Sequence, residues 1–245
     1  MPQPIPSAEP GRIVNEPPRP AVIAIEGPCF AGKTSLALAL GHRLGVTAIP
    51  EYADLGPLPP FPARDLDEVR ADLEYLLGVE RCRTAAIRSS HCGVVVCDRS
   101  PLSCIAFQHA IGRLDVPTDA RLAVELFATA ADRGEIIEPD AYIYLHVDQT
   151  TALARQAVRG PVLPCLMDPG VLAAMQAFYQ RFLNSLSADW WLVLDGVQPG
   201  SVLTERAARF AQGHRRAHGR WRGRAWRASL DWLEPQGDAT RRRRP

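Results

Sequence analysis

Gly27-Pro28-Cys29-Phe30-Ala31-Gly32-Lys33-Thr34 matches the pattern G-x-x-x-x-G-K-[ST] at every fixed position. The run Ala21-Val22-Ile23-Ala24-Ile25 before it reads as a buried strand, and Thr34 to Leu44 after it reads as a helix. Strand, glycine loop and helix in that order form a phosphate-binding unit. Lys33 is also the sole lysine among 28 basic residues, the other 27 being arginines. An ammonium is a compact cation on a flexible stem, whereas a guanidinium is a planar fork, so position 33 calls for a point charge. The glycines let successive N–H groups turn inward as an anion nest, at the positive end of the following helix. Gly27, Pro28, Cys29, Phe30, Ala31, Gly32, Lys33, Thr34 and Ser35 are therefore the candidate nucleotide-binding stretch. Lys33 is expected to reach the β- and γ-phosphates of ATP, and the Thr34 hydroxyl to hold Mg²⁺.

Downstream, short apolar runs alternate with helical stretches. Strands are expected at 21–26, 46–50, 93–97, 141–147 and 190–194. Helices are expected at 33–44, 65–90, 101–112, 119–134, 150–158, 169–186 and 200–212. Alternation of this kind implies parallel βαβ units, and near-continuous apolar strands imply a sheet covered on both faces. The expected fold is α/β, a three-layer sandwich with a five-stranded parallel sheet flanked by helices. The proline-rich 54–63 reads as a surface loop.

In open parallel sheets ligands bind at the carboxyl ends of the strands, so the residues there carry the chemistry. Glu51 follows the second strand, and Asp98-Arg99-Ser100 follows the apolar Gly93-Val94-Val95-Val96-Cys97. Asp98 is the expected second anchor for Mg²⁺, with a helix N-cap as its alternative role. Arg99 is placed to hold a transferring or accepting phosphate. Arg155 and Arg159, four residues apart, share one helical face ahead of a loop with Pro161 and Pro164. They read as a lid closing over the γ-phosphate, or else as two solvated arginines.

With 47% hydrophobic residues a sizeable core is available, and no run approaches 18 apolar residues, so no membrane span is expected. The N-terminus lacks the basic-then-apolar order of a secretory signal, and residues 1–20 hold seven prolines, so that segment is expected to be disordered. Six scattered cysteines without a C-x-x-C pair argue against a zinc site or a disulfide framework, and point to a reduced, cytoplasmic setting. The net charge of +1 divides into +7 over residues 214–245 and −6 over the rest. That arginine-rich extension, beyond a domain spanning 21–213, reads as a segment whose tryptophans dock on the domain. Contact with nucleic acid is the alternative.

In motif order from about residue 21 to 212, the chain resembles the thymidylate kinase and deoxynucleoside kinase superfamily of P-loop kinases. Asp98-Arg99-Ser100-Pro101-Leu102-Ser103 is similar to that group's D/E-R-S/Y/H signature, and Ala106 to Arg113 to the segment following it. Leu76-Leu77-Gly78-Val79-Glu80-Arg81 resembles the helix whose arginine approaches the acceptor, which implicates Arg81. The resemblance implies ATP and Mg²⁺ as co-substrates and, often, a homodimer. Adenine would pack against the lid and the turn near Asp195-Gly196. Two features depart from the pattern. Thymidylate kinases usually carry Arg-Glu-Pro-Gly where this chain has Pro50-Glu51-Tyr52-Ala53. Glu51 fits the glutamate that takes the acceptor proton in deoxynucleoside kinases, but Tyr52 does not fit the proline after it. The expected function is phosphoryl transfer from ATP to a nucleoside or nucleoside monophosphate. Rivals are a kinase of another small hydroxyl compound, such as an antibiotic or sugar derivative, and a non-kinase ATP-binding regulator.

Overall fold

The computed structural model describes residues 19–160, 163–215 and 225–233. Five strands form one parallel sheet: β1 (Ala21–Glu26), β2 (Ala48–Ile49), β3 (Val94–Asp98), β4 (Ala141–His146) and β5 (Trp191–Asp195), in the order β2-β3-β1-β4-β5. The central strands β1 and β3 are buried at every position, and β4 at all but its last, as near-continuous apolar runs require.

Successive side chains leave a strand on opposite faces, and each face has its own cover. Ile23 and Ile25 of β1 and Ile143 and Leu145 of β4 pack with Leu36 and Leu40 of α1 (Lys33–Leu44) and Leu203 and Ala207 of α8 (Gly200–Arg215). On the other side, Ala24, Tyr142 and Tyr144 meet α3 (Leu66–Arg88), α4 (Pro101–Ile111), α5 (Ala120–Asp132) and α7 (Pro169–Asn184). Helix α4 is buried almost all round, which explains its run of nonpolar residues without a polar stripe. The remaining helices are α2 (Tyr52–Leu55), α6 (Gln149–Arg159) and the short α9 (Ala225–Ala228). The α/β sandwich expected from the alternation is thus the observed fold.

Strand register sets the site. Ile25 pairs with Asp98 and Glu26 with Tyr144, so β1 and β3 end within one residue of each other at the carboxyl end of the sheet, while β4 runs two residues further to His146. The loops after β1 and β3 therefore open side by side.

Three sequence expectations shift. The second strand shortens from 46–50 to Ala48–Ile49, because the Val46 N–H closes the end of α1 on the Gly41 carbonyl and Pro50 has no N–H to donate. The proline-rich loop loses Asp54 and Leu55 to α2. Pro164–Met167 and Ala188–Trp190 form short 3₁₀ turns that no periodicity announces.

The proline-rich start falls mostly in residues 1–18, outside the described residues, as do Trp221 and the Arg241–Arg244 run of the extension. What is described of that extension is docked. Trp226 is fully buried; its backbone N–H donates to the Glu138 carboxylate at 2.9 Å and its indole N–H to the Tyr142 hydroxyl at 3.0 Å. Trp232 packs at a tilt against Phe178, and Arg121 donates to the carbonyls of Leu230 and Leu233. Trp226→Ala should cost about 3–5 kcal/mol of stability, the range for truncating a fully buried large aromatic. Chemical denaturation checks this, and a change under about 1 kcal/mol would show the docking to be incidental.

Candidate active site

The phosphate loop follows β1 with the backbone that its glycines allow. Gly27 has φ 142°, and a Cβ there would stand 2.3 Å from the Leu145 carbonyl oxygen of β4, so only glycine lets the loop pass so close. Gly32, at φ 99°, caps α1 in the left-handed region and turns the loop into the helix. Lys33 is buried, and its Nζ donates to the Pro28 carbonyl at 2.6 Å, which folds the ammonium across the mouth of the loop. Burial, and next the Arg99 charge, lowers its pKa to about 8. Thr34 and Ser35 are exposed on the first turn of α1.

Across from the loop, Asp98 ends β3. It is 2% exposed, and neither carboxylate oxygen has a hydrogen-bond partner. Burial raises its pKa, opposed first by the Thr34 hydroxyl, which lies within reach of the carboxylate without meeting hydrogen-bond geometry, and then by the Arg99 and Lys33 charges. The helix-cap alternative falls to its neighbour, since Ser100 Oγ accepts from the Leu102 N–H at 3.2 Å. An orphaned buried carboxylate beside an exposed hydroxyl is a pair of hard oxygen donors, and it suits a divalent cation such as Mg²⁺ that brings its other ligands as phosphate oxygens and water.

Arg99 sits at φ 63°, held by its own N–H on the Ile25 carbonyl at 3.0 Å. Its Nε meets Glu51 Oε2 at 2.7 Å, and its Nη2 lies 3.9 Å from Cys29 Sγ in the phosphate loop. Beneath it stands Glu26, the last residue of β1, which the sequence reading treated only as part of a strand. Its carboxylate accepts from Ser100 Oγ at 2.6 Å, Ser103 Oγ at 2.5 Å and the Tyr179 hydroxyl at 3.0 Å. Burial raises the Glu26 pKa against those three donors and the Arg99 charge. The signal was present in the chain: a glutamate closing an apolar strand directly before the first loop glycine.

On the far side of the loop lies a cavity of about 990 Å³ between α1, α6 and α8, floored by Phe30, Gly32 and Gly196. A Cβ at Gly196 would stand 2.7 Å from Val147 Cγ1 and 3.0 Å from the Ala31 carbonyl oxygen, so this turn presses on the phosphate loop only as glycine. The cavity holds none of Lys33, Glu51 or Asp98; it is a compartment adjoining the reactive groups rather than their own.

No family model matches the chain. A probable thymidylate kinase of Thermoplasma acidophilum is 29% identical over 175 residues, covering 71% of this chain and 86% of that protein. The deoxyadenosine kinase of M. mycoides superposes with a TM-score of 0.61 at 20% identity, over 78% of this chain and 99% of the other. The thymidylate kinase of Candida albicans gives 0.61 at 14% identity, over 81% and 94%. The chain thus shares the fold of these kinases and is similar in sequence to a probable thymidylate kinase.

Within this kinase-like site two expected residues are engaged elsewhere. Arg81, assigned to the acceptor, is half exposed and pairs with Glu135 at 2.5 Å. The buried arginine of α3 is Arg83, whose Nη2 donates to the carbonyls of Asp98 at 3.0 Å and Arg99 at 2.7 Å. Arg155 does not stand free as a lid residue either. Its Nη1 donates to the Phe30 and Ala31 carbonyls at 3.0 and 3.1 Å, and its Nη2 to the Gly196 carbonyl at 2.7 Å, so it staples the phosphate loop to the last turn. Arg159, on the same face of α6, lines the cavity wall, and Pro161 lies outside the described residues. All six cysteines are free, and no described helix is long and apolar enough to cross a membrane.

Proposed function

We infer that this chain is an ATP-dependent phosphotransferase whose acceptor is a nucleoside or a nucleoside monophosphate. One observation carries the reading: the sole lysine and the exposed Thr34 face a buried carboxylate with two unpartnered oxygens, with the Glu51–Arg99 pair beside them. The likeness to the thymidylate kinase and the deoxyadenosine kinase supports it.

In this reading the backbone N–H groups from Cys29 to Ser35 and the Lys33 ammonium bind the triphosphate, and the donor base occupies the cavity walled by Arg155 and Arg159. Thr34 and Asp98 would hold Mg²⁺, which neutralises charge on the β- and γ-phosphates when bound. Arg99 steadies the acceptor, and Glu51 takes the proton of an attacking hydroxyl. Catalysis is then positioning plus charge neutralisation, with no covalent intermediate on the protein. The Glu51–Arg99 distance of 2.7 Å favours a hydroxyl acceptor over a phosphate, because the arginine is already neutralised and an incoming dianion would meet the Glu51 carboxylate.

The test is product formation from γ-labelled ATP across deoxynucleosides, their monophosphates and amino-sugar alcohols. Label on a nucleoside or nucleotide supports the reading, and label only on an amino sugar moves the protein to another acceptor class. ATP hydrolysis that no acceptor stimulates overturns it.

A pH effect follows from Lys33. Burial leaves its ammonium titrating at about 8, and a neighbouring triphosphate favours the charged form. ATP affinity should therefore be constant below that pH and fall as pH rises through it. Near pH 8 binding should take up a proton, visible as a dependence of the calorimetric heat on buffer ionisation. Equal affinities and no proton uptake from about pH 7 to 9 would contradict the assignment.

A further inference from the structure

We propose that a buried triad of Tyr52, Glu80 and Arg83 holds the two reactive loops in register, positioning Glu51 against Asp98 and Arg99. The inference rests on the kinase reading above and adds to it three residues that touch none of the phosphate-loop side chains.

The contacts form one continuous path. Tyr52 directly follows Glu51 and opens α2, and its hydroxyl donates to Glu80 Oε2 at 2.7 Å. The same oxygen accepts from Arg83 Nη1, also at 2.7 Å. Arg83 Nη2 then takes the carbonyls of Asp98 and Arg99, and the guanidinium lies over the Tyr52 ring at 4.7 Å. Tyr52, Glu80 and Arg83 are 5%, 3% and 1% exposed. A single carboxylate oxygen thereby ties the backbone beside Glu51 to the backbone that carries Asp98 and Arg99.

Two considerations give the path a purpose beyond packing. Arg99 sits at φ 63°, a left-handed conformation that costs a non-glycine L-residue roughly 1–2 kcal/mol and persists only where the surroundings over-determine it. Arg83 supplies that constraint: Nη2 donates to both successive carbonyls while Nη1 holds Glu80 Oε2, a division between two nitrogens at fixed spacing that the single ammonium nitrogen of a lysine could not make. A buried ion pair is moreover a poor stabiliser compared with apolar residues of the same volume, so its presence serves geometry.

Tyr52→Phe is the informative variant, since it deletes one oxygen and keeps the ring. Acceptor-saturated kcat should fall on the order of 10- to 100-fold, the effect of displacing a reactive group by a fraction of an ångström to an ångström. The calorimetric affinity for ATP without metal should change less than about 2-fold, because the phosphate loop is untouched and Asp98 acts only through the cation, whereas a general loss of fold would weaken both. Glu80→Gln and Arg83→Lys should show the same split. Amide exchange across Asp98–Arg99 should quicken in all three.

Tyr52→Phe with wild-type kcat and unchanged exchange at Asp98–Arg99 overturns the inference. Lowered thermal stability with wild-type kcat per folded molecule overturns it too, leaving the triad as packing. The two readings fail separately. A wild-type protein that phosphorylates no acceptor sinks the kinase reading, and the exchange measurement still decides whether the triad holds the loops.

Discussion

Lys33→Ala should lower acceptor phosphorylation by about 10²–10³-fold, the cost of removing one preorganised charge from a developing transition state. Lys33→Arg should not restore it. The loop mouth is narrow enough for the ammonium to reach the Pro28 carbonyl at 2.6 Å, and a guanidinium is wider and carries its charge as a flat fork. Stability should not suffer. Burial depresses the Lys33 pKa, so the folded state disfavours the ammonium, and below about pH 8 that charge works against folding. Steady-state rates and a thermal melt on the same preparations check both halves. An active Lys33→Ala protein would show that the sole lysine serves some other end.

Asp98→Asn should separate activity from stability more sharply. Its oxygens are buried with only the Thr34 hydroxyl within reach, a condition that costs up to about 1–3 kcal/mol, offset in part by the Arg99 and Lys33 charges. Because burial raises the folded-state pKa, the penalty is absent well below the ordinary carboxylate range. It grows as pH rises through that range towards the folded pKa and is complete above it. An amide removes the charge, so in the absence of nucleotide and metal the variant should melt higher at neutral pH, with the gain disappearing towards about pH 3. Phosphoryl transfer should fall by about 10²-fold or more, since a neutral amide is a far weaker ligand for a divalent cation than a carboxylate. Melts across pH, with rates at saturating magnesium, measure the two effects. A variant that loses stability, or keeps its rate, contradicts the placement of Asp98 as the open metal-facing carboxylate.

Long elements were legible because a single signal decides each. The strand Ala21–Glu26 is an unbroken apolar run as far as Ile25, and α7 starts at Pro169 behind Asp168, whose side chain accepts from the Val171 N–H. Helix α2 was not legible, since four residues are too few to show a helical period. The site divides the same way. Lys33, Thr34 and Asp98 follow from adjacency to strand ends, which the chain order fixes. Arg81 and Arg83 are two residues apart on α3, and which of them points inward depends on helix phase against a neighbour; the Glu80 carboxylate three residues before Arg83 settled it. The spacing of Arg155 and Arg159 likewise gave a shared face but not the three carbonyls that bind Arg155. Glu26 carried a signal as the glutamate closing an apolar strand, but its partners Ser100 and Ser103 followed only from the register that sets it one residue past the β3 tip.

The central claim is that the Gly27–Thr34 loop holds the triphosphate of a nucleotide donor. Calorimetric titration of the folded protein with ATP, with and without magnesium, tests it most directly. The account predicts saturable one-site binding that magnesium tightens and Lys33→Ala abolishes. A flat titration of well-folded protein in the presence of magnesium would contradict it.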